Sequence, residues 1–432
     1  MTITESQIGL VQASAPVLKD KGTDITNHFY KNLLSSNPQL KSIFNLTNQR
    51  SGQQPFALAS VLLEYALHIT NPSVLAGPVE NINHKHASLG VTPAQYDVVG
   101  AQLLASLEAV LGSDVFNQEM RTAWAEAYGI LAHMMIDNEK VRYTGAQREK
   151  WLKSDASTEK EDSSYSPYFR TCKVVDKVQE ADDVVSLRFW PEGYEGDTLP
   201  KYQAGQYIGV RVWVEEEGQW QIRQYTLSDE PESAIKKGYR ITPKNIGMVS
   251  GIMHRLEKSD KVGLSFPQGL FTFIESPSTR LSADATKAPL VFISAGIGLT
   301  PLLSIMLDLL HEDGRDTKRA LSWIHSTRSV SLYAFKAQID ELVAQYPQLR
   351  SRTFNTGVKK DEKKGVDYDF ESRVKLDVLA PSEDLHLDDE RTLYYISGPI
   401  SFMNDVGKAL RQSGVPANRM KAEVFGVGDV TF

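Results

Sequence analysis

The chain has 432 residues, of which 41% are apolar and 23% charged, with a formal net charge of −7. That length argues for two or three domains, and a mild acidity without long like-charge blocks argues against a nucleic-acid surface. The single cysteine, Cys172, rules out an intramolecular disulfide and argues against a cysteine-ligated zinc or iron–sulfur site.

At the N-terminus, MTITESQIGL lacks the marks of a signal or transit peptide. No run approaches the length of a membrane span, and the thiol economy suits the cytosol. A cytoplasmic, monomeric protein with no transmembrane segment is expected. Apolar residues at three- and four-residue spacing predict helices throughout residues 1–144. Residues 145–166 are polar and Ser-rich and are expected to be a linker whose first half can extend the last helix. From Tyr168 the apolar period becomes two: TCKVVDKVQEA, DVVSLRFW, GQYIGVRVWV, IRQYTLS and GYRITPK read as successive strands of an antiparallel β-barrel over 167–280. Strand–helix alternation follows over 281–432, in APLVFISA, TPLLSIMLDLLHED, RALSWIHS, LYAFKAQIDELVAQ, RTLYYISG and SFMNDVGKALRQSG, and predicts a doubly wound parallel sheet. The fold class is therefore multidomain: all-α, then antiparallel β, then α/β.

Within the helical region, NINHKHASLG carries His84 and His86. On a helix residues two apart point about 200° away from each other, so one pocket hardly uses both. Val79, Ile82, His86 and Leu89 follow a single apolar stripe, which turns His86 inward and His84 toward water. Taken alone, an inward histidine is more often a satisfied structural residue. Two further helices supply company. VTPAQYDVVGAQLLASL opens with Thr92 as N-cap, Pro93 at N1 and Gln95 at N3, and its stripe begins at Tyr96. In RTAWAEAYGILAHMMIDNEK the stripe Trp124, Tyr128, Leu131, Met135 leads to Glu139. A buried acid there needs a partner, which a tyrosine hydroxyl and the Nδ1–H of a metal-bound histidine would supply. A partly exposed Glu139 at a fraying helix end fits the pattern equally.

The motifs HFYKNLL, NPQLKSIFN, NQRSGQQPFALA and KHASLGVTPAQYDVVG, in this order and followed by the reductase-like strands, resemble the flavohaemoglobins, in which a globin is fused to a ferredoxin-reductase-like module. The resemblance covers essentially the whole chain. It implies haem b with His86 as the proximal iron ligand and Lys85 beside it. Tyr96 and Glu139 correspond to the proximal relay, Tyr30 to the distal tyrosine, Phe44 to the phenylalanine on the haem, and Gln54 and Leu58 to the distal helix. Aromatics at helical spacing are otherwise core, and residues alone prefer that reading for Tyr30 and Phe44.

In the reductase half, Arg223, Tyr225 and Thr226 of IRQYTLS are expected on one side of a strand, supplying a cation, an aromatic face and a hydroxyl to a flavin. Gln224 lies between them, and Tyr207 of GQYIGV lies on an earlier strand that contacts FAD in the family. Gly247, Val249 and Ser250 precede or open a short helix whose N–H groups suit a phosphate; an ordinary turn and N-cap would look the same. Gly296, Ile297, Gly298, Leu299, Thr300 and Pro301 follow a buried strand and open a helix, with Thr300 as the cap and Pro301 at N1, which suits NAD(P)H. Gly398 and Pro399 follow another strand, where Ser397 stands in place of the family's cysteine. The C-terminal AEVFGVGDVTF resembles the family's flavin-stacking end, with Glu423, Phe425 and Gly426 at FAD and Val427 in place of a proline. Ser326 and Arg328 could meet a 2′-phosphate or form a solvated loop.

The resemblance implies a nitric oxide dioxygenase: NAD(P)H reduces FAD, FAD reduces haem, and O2 with NO yields nitrate. Two alternatives share the architecture, an anaerobic NO or peroxide reductase and a haem-based gas sensor or store with an attached reductase.

Overall fold

A computed structural model describes residues 3–44, 49, 52–152, 168–194, 196–273, 287–313, 319–426 and 430. The chain divides into two compact units. The first comprises Met1–Thr171, Gly209–Gln224 and Val262–Gly269, and the second Cys172–Ile208, Tyr225–Lys261 and Leu270–Phe432.

Among the described residues seven α-helices form the body of the first unit: α1 (Glu5–Ala13), α2 (Ala15–Ser36), α3 (Gln53–His68), α4 (Ala76–Leu89), α5 (Pro93–Leu111), α6 (Gln118–Tyr143) and α7 (Ala146–Leu152). Side chains satisfy their open ends. The Thr4 hydroxyl accepts from Gln7 N (3.2 Å) while Gln7 Oε1 accepts from Thr4 N (2.9 Å), a capping box. The box expected at Thr92 is present, with Gln95 Oε1 accepting from Thr92 N at 2.9 Å. Along α2, Leu18, Ile25, Phe29 and Leu33 recur on one face and are buried with Leu103, Leu107 and Trp124. Burying each such side chain stabilises the fold by roughly 1.5–3 kcal/mol. Of the residues expected as a linker, 146–152 form α7, with Trp151 fully buried; 153–166 lie outside the described residues, as does the 280/281 boundary. The same unit holds most of β3 (Tyr207–Val214) and β4 (Gln219–Thr226), and all of β6 (Lys261–Leu264) except its first residue, in the order β4-β3-β6. β3 pairs antiparallel with β6, Val210 opposite Leu264.

In the second unit β1 (Arg170–Ala181, from Cys172 on), β2 (Val184–Pro191) and β5 (Tyr239–Ile241) pair antiparallel, with register shifts along β1. Helices α8 (Pro231–Lys237) and α9 (Met248–Arg255) flank β5 in sequence. The rest is the doubly wound part: β7 (Leu290–Ala295), α10 (Leu299–Asp313), β8 (Leu321–Thr327), α11 (Lys336–Gln345), β9 (Leu349–Asn355), β10 (Leu393–Ser397), α12 (Ile400–Gln412) and β11 (Met420–Glu423). The five strands are parallel in the order β11-β10-β7-β8-β9. β7 is central and covered on both faces, which explains its unbroken apolar run. The winding reverses between β7 and β10, and at such a switch point the crevice beyond the strand ends binds ligands. β6, β9, β11 and α8 were not anticipated: they are short or polar at alternate positions.

His325 on β8 is completely buried, donates to or accepts from Ser294 Oγ at 2.8 Å, and stacks on Tyr333 with centroids 4.2 Å apart. Burial pushes its imidazole down to about 3. The unfolded chain takes up a proton near pH 6.5 that the folded chain refuses, so stability falls as pH drops from about 6.5 toward 3. The urea midpoint of the protein should fall on acidification from neutral pH, and less steeply for His325→Asn. An equal acid slope in both proteins would remove His325 from the account.

Candidate functional site

The site in the first unit starts from three helices that each contribute one polar group to an apolar seam. α4 carries His86 in its last turn, α5 carries Tyr96 in its first, and α6 carries Glu139 near its end. Val79, Ala132 and Met135 are buried around Tyr96. Glu139 is 2% exposed, so the fraying-end alternative does not hold. His86 Nδ1 lies 2.8 Å from Glu139 Oε1 and 2.8 Å from the Tyr96 hydroxyl, which itself donates to Glu139 Oε1 at 2.5 Å. A carboxylate only accepts, so both neighbours donate to it: Tyr96 with its single hydrogen and His86 with Nδ1–H. That leaves the lone pair on His86 Nε2, the atom a haem iron requires. Desolvation, followed by the charge of Glu139, drives the Tyr96 hydroxyl far above its ordinary range, so it remains a donor.

In the larger apolar cluster of the helices, Tyr30 of α2 is buried, and Phe44 packs edge-to-face on it with centroids 5.5 Å apart. Leu58 of α3 joins the same apolar cluster. Burial raises the Tyr30 hydroxyl well above the usual range, against a smaller opposite effect of its hydrogen bond with Gln54. Gln54 Oε1 and Gln49 Nε2 are buried without a hydrogen-bond partner among the described residues. A cavity of about 380 Å³ reaches Tyr30 between Lys31, Leu34, Lys41, Gln49 and Pro55. The unpaired Gln49 amide nitrogen on the wall of this cavity fits a pocket that takes a polar-edged ligand. Lys85 is exposed on α4, one residue before His86.

The placement of His84 corrects the expectation of a solvated residue. Its side chain is 14% exposed, less than the 30% of His86. Its Nδ1 lies 2.8 Å from Gln268 Oε1 and accepts from Gly269 N at 3.2 Å, and its other nitrogen faces Glu80 and Arg142. The helical stripe of α4 reported only the face toward its helical neighbours, whereas a segment 184 residues away covers the second face. Sequence reasoning also missed Tyr143, whose hydroxyl donates to Val91 O (2.8 Å) and more weakly to His86 O (3.2 Å), closing the end of α4. The signal was present, since Tyr143 continues the stripe of α6 one turn beyond Glu139.

In β4 the backbone alternation separates residues expected together. Arg223 and Tyr225 share one face, whereas Thr226, next in sequence, lies on the other and is 7% exposed. The Arg223 guanidinium bonds Ile222 O and Gln221 Oε1. The Gln224 amide reaches Ser88 Oγ at 3.0 Å. Tyr207 opens β3 and is buried. Gly247 caps α9, and Ser250 Oγ accepts from Gly247 N (2.9 Å) and Ile246 N (3.1 Å). Val249 and Ser250, inside the first turn, therefore carry the N–H groups that lack an intrahelical acceptor. Glu423 ends β11 beside Ser397, whose Oγ donates to Glu423 O at 3.4 Å. Phe425 is 48% exposed, Gly426 follows it, and Val427 lies outside the described residues.

At the switch point, β7 and β10 run side by side with Ser294 opposite Ser397, so their loops emerge together. A tight turn, Gly296–Gly298, leads straight into α10, with Ile297 at its centre, Gly296 in the left-handed region (φ +54) and Leu299 as the first helical residue. Thr300 therefore lies inside the helix and its hydroxyl donates to Ile297 O at 3.1 Å; it is not the cap, and Pro301 is the third helical residue, not the first. The turn winds directly into the helix and moves its start upstream. A Cβ on Gly298 would lie 2.5 Å from Ser397 O and 2.7 Å from Gly398 N. Pro399 starts α12 as its N-cap. The two loops thus pack backbone on backbone beneath a helix N-terminus, a cradle suited to a nucleotide diphosphate. Gly298→Ala forces them apart. Reduction of the flavin by NADH, followed at the flavin band, should slow by about 10- to 100-fold, and parental bleaching would refute this reading of the turn.

Residues 27–135 match the Globin family and residues 292–408 the Oxidoreductase NAD-binding domain family. The chain is 40% identical to a flavohemoprotein of Bordetella pertussis, over 98% of each chain. It is 35% identical to the flavohemoprotein of Deinococcus radiodurans, over 98% of this chain and 97% of that one. A crystal structure of flavohemoglobin from Malassezia yamatoensis, with bound FAD and heme, superposes with a TM-score of 0.78 at 25% identity, covering 98% of this chain and all of that one. With such relatives along its full length, and with globin and reductase signatures in the order its motifs announce, the chain belongs to the flavohaemoprotein family.

Proposed function

We propose that the protein is an NAD(P)H-dependent nitric oxide dioxygenase with haem b, FAD and NAD(P)H as cofactors, organised as residues 1–144, a connecting segment at 145–166 that begins with α7, 167–280 and 281–432. The hydrogen-bonded set His86–Tyr96–Glu139 carries the reading. When bound, the cofactors pass electrons from NAD(P)H through FAD to haem, and each NAD(P)H supplies the electron pair that converts two NO and two O2 into two nitrate ions. The protein's residues position and tune. His86 presents Nε2 to the iron, and Glu139 makes that nitrogen more electron-rich by accepting the Nδ1 proton's hydrogen bond. Tyr96 holds the carboxylate in place. Tyr30, kept protonated by burial, donates toward an oxygen that develops negative charge, with Phe44 packed on its ring and Gln54 hydrogen-bonded to it. An unpolarised histidine would suit a gas store better. Arg223, Tyr225, Thr226, Tyr207, Val249, Ser250 and the tail at Phe425 are the flavin contacts, and Gly296–Pro301 with Gly398 and Pro399 the nicotinamide-nucleotide contacts.

The purified protein should show Soret and flavin bands and consume NADH rapidly only with NO and O2 together, with nitrate formed. Absence of nitrate when NO is added under air would end this proposal.

A further inference from the structure

The proximal helix is held on the side away from Tyr96 by strands of the same unit. Ser88, two residues beyond His86 and fully buried, uses its hydroxyl in both directions: it donates to Lys85 O at 2.7 Å and accepts from Gln224 Nε2 at 3.0 Å. Gln224 sits in β4 between Arg223 and Tyr225, the pair assigned above to the flavin. On the neighbouring strand Gly209 has no side chain, and none would fit. A Cβ there would lie 2.2 Å from Ser88 O and 3.1 Å from Ser265 Oγ. Ser265 in turn bonds both polar groups of Gly209, accepting from its N with Oγ and donating to its O with N, each at 2.8 Å. The backbone of β3 therefore touches the backbone of α4 directly, at a spot pinned by two serines, while His84 closes the same face through Gln268 and Gly269.

We infer that Ser88 and Gly209 are positioning residues for electron transfer: they set the register and closeness of the flavin-binding strand against the helix that carries the haem ligand. The inference rests on the functional reading above and goes beyond it in naming which contact governs the step from flavin to haem. Neither residue touches a cofactor or substrate in this assignment. Their effect reaches the transfer through the spacing of β3 and β4 from α4. Gly209 requires no left-handed backbone, so alanine is excluded by space alone.

The test is Gly209→Ala and Ser88→Ala in the full-length, haem- and FAD-loaded protein, with half-reactions separated by stopped flow. Flavin bleaching by NADH, and NADH–ferricyanide turnover, should match the parent in both variants. Haem reduction by the flavin should slow by about 10- to 100-fold in Gly209→Ala, the loss expected when reacting partners are displaced by an ångström, and less in Ser88→Ala, which removes one hydroxyl. Hydrogen exchange over residues 83–91 is read on the same samples and needs no turnover; both variants should lose protection there. Unchanged protection overturns the inference even if NADH proves unable to reduce the haem, the separate outcome that sinks the functional reading. Lost protection with parental haem reduction shows a merely structural contact and also overturns it. If Gly209→Ala fails to fold, Ser88→Ala decides alone.

Discussion

Replacing His86 with alanine should yield a flavoprotein that has lost its Soret band. Haem needs a strong axial donor, and the arrangement around His86 directs Nε2 outward with Nδ1 engaged by Glu139 and Tyr96. The variant removes the proposed ligand but leaves Tyr96 donating to Glu139, so the buried carboxylate keeps a partner and the helices have reason to stay folded. The hydrogen bonds of the His86 imidazole run to Tyr96 and Glu139 on the helices, not to the reductase strands or nucleotide loops. NADH-driven bleaching of the flavin and reduction of ferricyanide should therefore persist, while NO consumption under air falls to background. The ratio of Soret to flavin absorbance in purified protein measures this directly. A variant that keeps a parental Soret band would show that His86 is not the ligand.

The next largest effect is expected from Glu139→Gln. Glutamine keeps the size and can still accept from Tyr96, but it removes the charge that makes His86 a stronger donor. Loss of such supporting groups around a metal ligand costs about 10- to 100-fold in affinity or activity. Nitrate formation should fall within that range while haem stays bound, which separates tuning from ligation. Tyr96→Phe should act in the same direction and less, because Glu139 and His86 remain bonded. The two effects should be less than additive in the double variant, since both act through one hydrogen-bonded set. Because desolvation and Glu139 keep the Tyr96 hydroxyl protonated, its titration should leave no break in the activity profile around neutral pH. Full nitrate formation by Glu139→Gln would sink the proximal tuning argument.

Much of this site was legible before any tertiary contact was known. The stripe Val79, Ile82, His86, Leu89 aimed one histidine inward, and the stripe of α6 led to Glu139, because a helix that buries one face must repeat near 3.6. The strand–glycine–helix pattern located the turn at Gly296–Gly298, since a parallel sheet turns tightly where a nucleotide backbone must approach. Family resemblance, not periodicity, gave the inward histidine its proposed role as haem ligand. The sequence by itself thus determined which face of each element is apolar, where strand gives way to helix, and which polar residues interrupt an apolar face. Only the tertiary structure decided that His84 is covered, that Ser88 meets Gln224 and that Gly209 leaves no room for a side chain. The physical reason is range. Periodicity records how an element meets the neighbours of its own layer, whereas a second covered face depends on segments more than a hundred residues distant, whose approach leaves no local mark beyond a small or polar residue.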